Sequence, residues 1–305
     1  MGWAGATRPV EPRIHGSKLV EQHPLFYVAN LVLFFVIACS KEYVGPWGYF
    51  CNPDSSIPPD SPISANIDNL LAVMIHASKM NNGFSGLSSG AGNNTVYGLA
   101  QCRGDLDIKQ YCYPCIQDAI QQIQKDCPGK SDAQIWYDYC TVRYSQDNFF
   151  GTFDASQNAL VRNQDDYKDP KTLFTKLGPL FEGIISKAAD PANSGLAIAQ
   201  VDLTDGDTLY GGAQCTMDLR PFDCAQCLGA AVKEFDDFCK PKQGCRVYLS
   251  SCFVRYEIYD FASSLDARFK KIPGQAIEKL IKFEFGRAKQ VNKLRSRKYM
   301  MISSF

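Results

Sequence analysis

Cysteine spacing constrains the fold of this chain more than any other feature of its sequence. Four cysteines recur 112 residues later, so that Cys112, Cys115, Cys127 and Cys140 correspond to Cys224, Cys227, Cys239 and Cys252. The segment Tyr97-Gly98-Leu99-Ala100-Gln101-Cys102 also recurs, as Tyr210-Gly211-Gly212-Ala213-Gln214-Cys215. A repeat of this length is far longer than a solenoid unit, so we predict two tandem globular domains, at 45–150 and 151–262.

The N-terminal region has the pattern of a secretory signal. Residues 25–40 form an almost unbroken apolar run, shorter than the ~18–20 residues that span a bilayer, and the run ends on the small residues Ala38-Cys39-Ser40. We therefore predict a signal peptide at 1–40, cleaved before Lys41, with a retained signal anchor as the alternative. Loss of Cys39 leaves twelve cysteines, an even number that favours a disulfide framework in an oxidising compartment. No later stretch predicts a transmembrane helix, so the mature chain is expected to be soluble.

The charges are balanced overall but unevenly distributed. Lys and Arg total 32, as do Asp and Glu, and this balance argues against a nucleic-acid-binding protein. Residues 266–305 alone hold 11 basic against 3 acidic residues, so 263–305 is a basic C-terminal tail. Such a tail is either a solvated extension or a contact for anionic lipid or wall polysaccharide.

Each repeat has mixed secondary-structure signals. Apolar residues at helical spacing predict first helices at 64–77, with Ser64 as a possible cap, and at 169–188, with Asp169 as N-cap and Pro170 in the first position. Second helices are predicted at 116–125 and 228–238, a loop at 81–94, and strands at 135–144 and 246–256. The expected class is α+β, with helices on one face of an antiparallel sheet.

These motifs resemble a known plant domain. The pattern Cys215-x8-Cys224-x2-Cys227, the preceding Tyr-Gly-x-Ala-Gln and the later Cys252-Phe-Val-Arg-Tyr-Glu resemble the ginkbilobin-homologous, or stress-antifungal, domain. Two such units behind a signal peptide are similar to plant cysteine-rich repeat secretory proteins. The resemblance implies a secreted, apoplastic, non-enzymatic binding protein connected with defence or stress and requiring no cofactor. Its partner would be a cell-wall or fungal carbohydrate or a receptor ectodomain. A membrane-associated plasmodesmal or receptor-like partner protein is the alternative.

The resemblance also implies a disulfide pairing. In the first domain it links Cys51 to Cys127, Cys102 to Cys112, and Cys115 to Cys140; in the second it links Cys215 to Cys224 and Cys227 to Cys252. The second domain has no cysteine at the position of Cys51, where the offset of 112 leads to Asn163, and it has an additional Cys245. We therefore infer a Cys239–Cys245 bond.

A carbohydrate site is implied in the same way. In the ginkbilobin lectin, mannose is held by an Asn after the first cysteine, an Arg six residues before the last and a Glu five residues after it. The first domain supplies Asn52 but has Gln134 and Ser145 at the other two positions. The second supplies Arg246 and Glu257 but has lost the Cys-Asn pair, so we expect neither domain to bind mannose well. Alternatively, Asn52 is a turn residue, and Arg246 and Glu257 form an exposed cross-strand ion pair.

Other chemistry has less support. Cys112-Tyr113-Pro114-Cys115 permits a thiol oxidoreductase, but both copies of the motif belong to larger cysteine sets, and the pairs are too far apart for a two-knuckle zinc site. His76 is the one histidine of the predicted mature chain and no nucleophile motif accompanies it, so we predict no enzyme and no metal site. Asn93-Asn94-Thr95 is a glycosylation sequon, although such triplets also occur by chance.

Overall fold

Each repeat of the sequence folds into a five-stranded antiparallel sheet with two α-helices. The computed structural model describes residues 45–203 and 206–262, which belong to one compact unit. The predicted signal segment, with Cys39, and the basic tail lie outside the described residues. The predicted α+β class with two tandem domains is confirmed.

The first half contains β1 to β5 and two helices. The elements, in chain order, are β1 (Gly48–Cys51), α1 (Pro62–Met80), β2 (Phe84–Ser89), β3 (Val96–Cys102), α2 (Tyr113–Asp126), β4 (Ala133–Trp136) and β5 (Cys140–Ser145). The strand order across the sheet is β1-β4-β5-β3-β2.

The second half repeats this arrangement. Its elements are β6 (Asn158–Arg162), α3 (Pro170–Ala188), β7 (Leu196–Asp202), β8 (Thr208–Cys215), α4 (Pro221–Glu234), β9 (Cys245–Leu249) and β10 (Cys252–Glu257). The order is β6-β9-β10-β8-β7, so each strand occupies the place of its counterpart in the first sheet.

The first helix of each half begins at a proline, and the residue before this proline is the N-cap. Asp169 caps α3, as predicted, by accepting a hydrogen bond from the Thr172 amide, and Pro170 takes the first helical position. In α1 the prediction of Ser64 as the cap is wrong. The side chain of Ser61 is the acceptor, and Ser64 supplies the N–H that it caps, at 3.2 Å. The signal was present in the sequence, since Pro62 follows Ser61 as Pro170 follows Asp169.

Two strand predictions need correction. Residues 135–144 and 246–256 are not single strands, because each forms a hairpin, β4–β5 and β9–β10. The aromatic run conceals the first turn, which is closed by the Tyr137 amide bonding to the Cys140 carbonyl. The predicted loop at 81–94 contains β2, which lacks a strand-like hydrophobic pattern but pairs along its whole length with β3.

The glycine of each Tyr-Gly motif lets a helix pack closely on the sheet. A Cβ on Gly211 would stand 2.7 Å from Ile184 Cδ1 and 3.0 Å from Leu180 Cδ2, both on α3. A Cβ on Gly98 would collide with Met74 of α1. The repeated motif therefore places the hydrophobic core between the helices and one face of each sheet. The opposite faces remain for contacts outside each core.

Candidate functional site

Six disulfides join the cysteines of the two halves. They connect Cys51–Cys127, Cys102–Cys112, Cys115–Cys140, Cys215–Cys224, Cys227–Cys252 and Cys239–Cys245. These are the pairs implied by the resemblance together with the inferred sixth bond. The two cysteines of each Cys-x-x-Cys motif bond to different partners and are buried, with exposures of 0–3%. A catalytic dithiol needs an accessible thiolate that attacks a substrate, and this arrangement does not provide one.

Strand β6 is held without the disulfide that anchors β1. Cys51 pairs with Ala133 in the β1–β4 ladder, and Arg162 pairs with Cys245 in the corresponding β6–β9 ladder. Arg162 therefore occupies the place of Cys51. Its Nη1 donates to the Phe238 carbonyl at 2.9 Å, and its guanidinium lies 4.9 Å from the centre of the Phe238 ring. This contact links β6 to the turn that follows α4.

Asn163, the residue after Arg162, changes the predicted set of sugar-binding residues in the second half. The Asn52 amide donates to the Asp132 carbonyl at 3.0 Å, and the Asn163 amide donates to the Gly244 carbonyl at 2.9 Å. Each Asn side chain also accepts from the amide two residues later, the turn contact considered as an alternative for Asn52. Asn163 is thus the counterpart of Asn52. The second half has lost the cysteine but kept the asparagine, so the prediction of an incomplete set there is wrong.

Arg246 and Glu257 lie on the face of the second sheet away from its core, and Arg246 contacts the first half. Arg246 Nε donates to Glu257 Oε1 at 3.2 Å, Nη1 donates to Asp138 Oδ1 at 3.3 Å, and Nη2 donates to the Tyr259 hydroxyl at 3.3 Å. The guanidinium also stacks 4.6 Å from the centre of the Trp47 ring. All three nitrogens and one face therefore have protein partners.

The ion pair is buried, which differs from the exposed pair considered from the sequence. The side chains of Arg246 and Glu257 are 12% and 5% exposed. Burial lowers the pKa of Arg246, but Asp138 and Glu257 outweigh this effect and raise it, so the guanidinium remains charged. Trp47 and Asp138 of the first half cover Arg246. A sequence pattern within one repeat could not indicate this burial.

Asp138 is the centre of a larger group that we call the interdomain arginine cluster. The cluster consists of Arg103, Asp105, Asp138, Arg246, Arg255 and Glu257. Asp138 lies in the β4–β5 turn and contacts Arg255 at 3.2 Å and Arg103 at 3.8 Å in addition to Arg246. Arg103 pairs with Asp105 at 2.6 Å and donates to the Phe261 carbonyl at 3.2 Å. One carboxylate thus faces three guanidinium groups, two of them from the other half.

Sequence reasoning missed this cluster, although one signal for it existed. Arg255 belongs to the Val-Arg-Tyr motif that recurs around Arg143. Arg143 pairs with Asp154 at 2.8 Å and stacks 4.2 Å from Phe149, whereas Arg255 pairs with Glu257 and stacks 4.3 Å from Phe261. A buried-strand arginine repeated in both units needs a counterion, so the repeat predicts two ion pairs without identifying their carboxylates.

Reciprocal amide contacts join the halves beside the cluster. Gln101 Nε2 donates to the Cys215 carbonyl at 2.9 Å, and its counterpart Gln214 donates to the Cys102 carbonyl at 3.2 Å. Trp136 Nε1 donates across the same boundary to the Leu249 carbonyl. The cavity between these residues has a volume of about 40 Å³, against roughly 300–1,000 Å³ for small-molecule sites, so it accommodates water rather than a sugar.

The corresponding positions of the first half do not form an open site either. Asn52 Nδ2 donates to Asp132 Oδ2 at 2.9 Å. Gln134 and Ser145 are 2% and 4% exposed, and Gln134 Nε2 donates to the Ser250 carbonyl of the second half at 2.9 Å. The first half therefore has neither the arginine nor the glutamate of the lectin set, and the two positions that would hold them are buried.

The remaining candidates lie elsewhere. His76 is exposed in the middle of α1, and Asn93 is exposed in a short turn between β2 and β3. Within the described parts of the chain, no three His, Cys, Asp or Glu residues are placed to hold a metal ion. Among residues 45–203 and 206–262, none of the helices combines the length and hydropathy that a bilayer span requires.

Comparisons with known proteins agree with this architecture. The chain matches a family described as Salt stress response/antifungal twice, over 50–147 and 153–259. It is 42% identical over 243 residues to Cysteine-rich repeat secretory protein 55 of Arabidopsis thaliana, covering 78% of this chain and 92% of that protein. It is 35% identical to Antimicrobial ginkbilobin-2-like protein of Castanea crenata, covering 76% and 97%.

A solved structure shows the same fold. The tandem DUF26 ectodomain of an Arabidopsis thaliana cysteine-rich receptor-like protein superposes with a TM-score of 0.60 at 26% sequence identity. The superposition covers 70% of this chain and 97% of that ectodomain. The chain is thus similar both to secretory proteins and to an ectodomain.

Proposed function

Because the chain belongs to the salt stress response/antifungal family of cysteine-rich repeat proteins, we propose that it is a secreted protein of the plant apoplast that binds a ligand without transforming it. The observation that carries the proposal is the joining of two disulfide-bonded sheets into one body. Six disulfides, the reciprocal glutamines and the interdomain arginine cluster hold that body together. Rigid, disulfide-rich modules suit recognition outside the cell, where thiols are oxidised.

The proposed ligand is a cell-wall or fungal carbohydrate other than free mannose. The asparagine, arginine and glutamate that resemble the lectin set are all present in the second half, but each nitrogen of the arginine already donates to a protein group and its side chain is only 12% exposed. A sugar hydroxyl would have to compete with Asp138, Glu257 and Tyr259 for this guanidinium. Breaking one such buried charged contact commonly costs a few kcal/mol, more than one sugar hydrogen bond returns.

A receptor ectodomain is the second candidate partner. It is favoured by the similarity to the tandem ectodomain of a receptor-like protein, which extends over 97% of that ectodomain. The basic tail at 263–305 lies outside the described residues, and it stays a prediction that it is either a solvated extension or a contact for anionic lipid or wall polysaccharide.

A glycan array tests the proposal directly. The disulfide-intact chain starting at Lys41 is applied to wall and fungal oligosaccharides, and the reduced and alkylated chain serves as the matched control. Saturable binding that is lost on reduction supports a carbohydrate ligand. If no glycan on the array is bound and the chain binds a receptor-like ectodomain saturably, the second candidate is supported. Conversion of any bound glycan into a product, or no binding to either class, contradicts the proposed function.

A further inference from the structure

We propose that Asn93 carries an N-linked glycan and that this glycan shields the open edge of the first sheet. Asn93-Asn94-Thr95 has the Asn-x-Thr sequence that the oligosaccharide-transferring enzyme recognises. Asn93 is exposed in the 3-10 turn Gly92–Asn94 between β2 and β3. Thr95 follows with extended backbone, at φ −68° and ψ 135°.

The turn is fixed through its main chain. The Thr95 amide donates to the Gly92 carbonyl at 3.1 Å, Asn66 Nδ2 of α1 donates to the Asn94 carbonyl at 2.8 Å, and Gln146 Nε2 donates to the Asn93 carbonyl at 3.4 Å. The acceptor of each of these bonds is a backbone carbonyl of the turn. None of the three bonds involves the side-chain amide of Asn93. The sequon therefore lies in a turn with a defined backbone, and its asparagine is exposed, as enzymatic modification requires.

The adjacent strand gives the glycan a physical role. β2 is the terminal strand of its sheet, and its sequence Phe-Ser-Gly-Leu-Ser-Ser contains neither a charge nor a proline. Exposed edges without these features pair readily with other strands, so proteins usually protect them. The terminal strands β1 and β6 lie against each other at Gly48 and Ala159, and the edge strand β7 ends on the charged Asp202. A bulky, hydrophilic glycan a few residues beyond Ser89 would block pairing at β2.

The proposal rests on entry into the secretory pathway, and so on the proposed function. Chains recovered from the medium of plant cells are compared as wild type, Asn93→Gln and Thr95→Val, with Asn94→Gln as the matched control that keeps an Asn-x-Thr sequon. We expect wild type and Asn94→Gln to lose mass on peptide-N-glycosidase treatment, with Asn93 converted to Asp, and the other two to be unchanged. Sedimentation velocity is expected to show self-association of Asn93→Gln at protein concentrations where Asn94→Gln does not associate.

The outcomes separate this proposal from the proposed function. A secreted, disulfide-bonded wild type with unmodified Asn93 overturns the glycan and leaves the proposed function standing. A chain retained in the cytosol with free thiols overturns both. Equal association of Asn93→Gln and Asn94→Gln overturns the shielding role even if the glycan is present.

Discussion

Replacing Asp138 by asparagine tests the interdomain arginine cluster with the smallest change of shape. The carboxylate accepts from Arg246 at 3.3 Å and from Arg255 at 3.2 Å, and those side chains are 12% and 4% exposed. Asparagine fills the same volume but removes the negative charge. Two guanidinium groups from the second half would then share Glu257 as their remaining close countercharge within the cluster.

The expected loss of stability follows from burial. Removing one partner of a fully buried ion pair costs roughly 3–5 kcal/mol. Asp138 is 22% exposed and Glu257 still contacts both arginines, so we expect a loss below this range, of about 2 kcal/mol. For a protein of this size roughly 2–4 °C of melting temperature corresponds to 1 kcal/mol, which gives a decrease of about 4–8 °C.

Thermal unfolding of the disulfide-intact chain at pH 7 measures this effect. The matched control is Asp147→Asn, because Asp147 lies in the same half but is exposed. We expect the control to change stability by less than about 0.5 kcal/mol, as exposed substitutions usually do. Equal melting temperatures for Asp138→Asn and Asp147→Asn would show that the Asp138 carboxylate does not hold the two halves together.

Three further predictions concern the same structure. Because all twelve described cysteines are paired, the native protein should not react with a thiol reagent before reduction, and peptide mapping should find Cys239 joined to Cys245; a different partner for Cys239 would contradict this. Gly244→Ala should destabilise the second half by about 1–3 kcal/mol in chemical denaturation, since its Cβ would collide with the Glu257 carboxylate, whereas Gly229→Ala has free space and should not. Gln134→Arg with Ser145→Glu, which would complete the lectin set around Asn52, should lower the melting temperature without creating mannose binding, because both positions are buried; a stable variant that binds mannose would show otherwise.

The sequence predicted most of the fold because its strongest signals are local. The Asp169-Pro170 cap and the cysteine spacing within each repeat depend on residues close in the chain. The Asn163 assignment failed for a specific reason: the offset between the halves is 111 at β6 and 112 at β9, and only the ladder of hydrogen bonds reveals the change. Asp138 could not be assigned to Arg246 and Arg255, because a contact between repeats leaves no spacing pattern within either one.

Mannose binding decides whether Arg246 and Glu257 serve only as a buried ion pair or also hold a sugar. Isothermal titration calorimetry of mannose into the folded, disulfide-intact chain measures this. We expect no saturable heat, because each guanidinium nitrogen of Arg246 already donates to Asp138, Glu257 or Tyr259. Saturable mannose binding by wild type that is abolished by Arg246→Ala, in a variant that still unfolds cooperatively, would contradict this expectation.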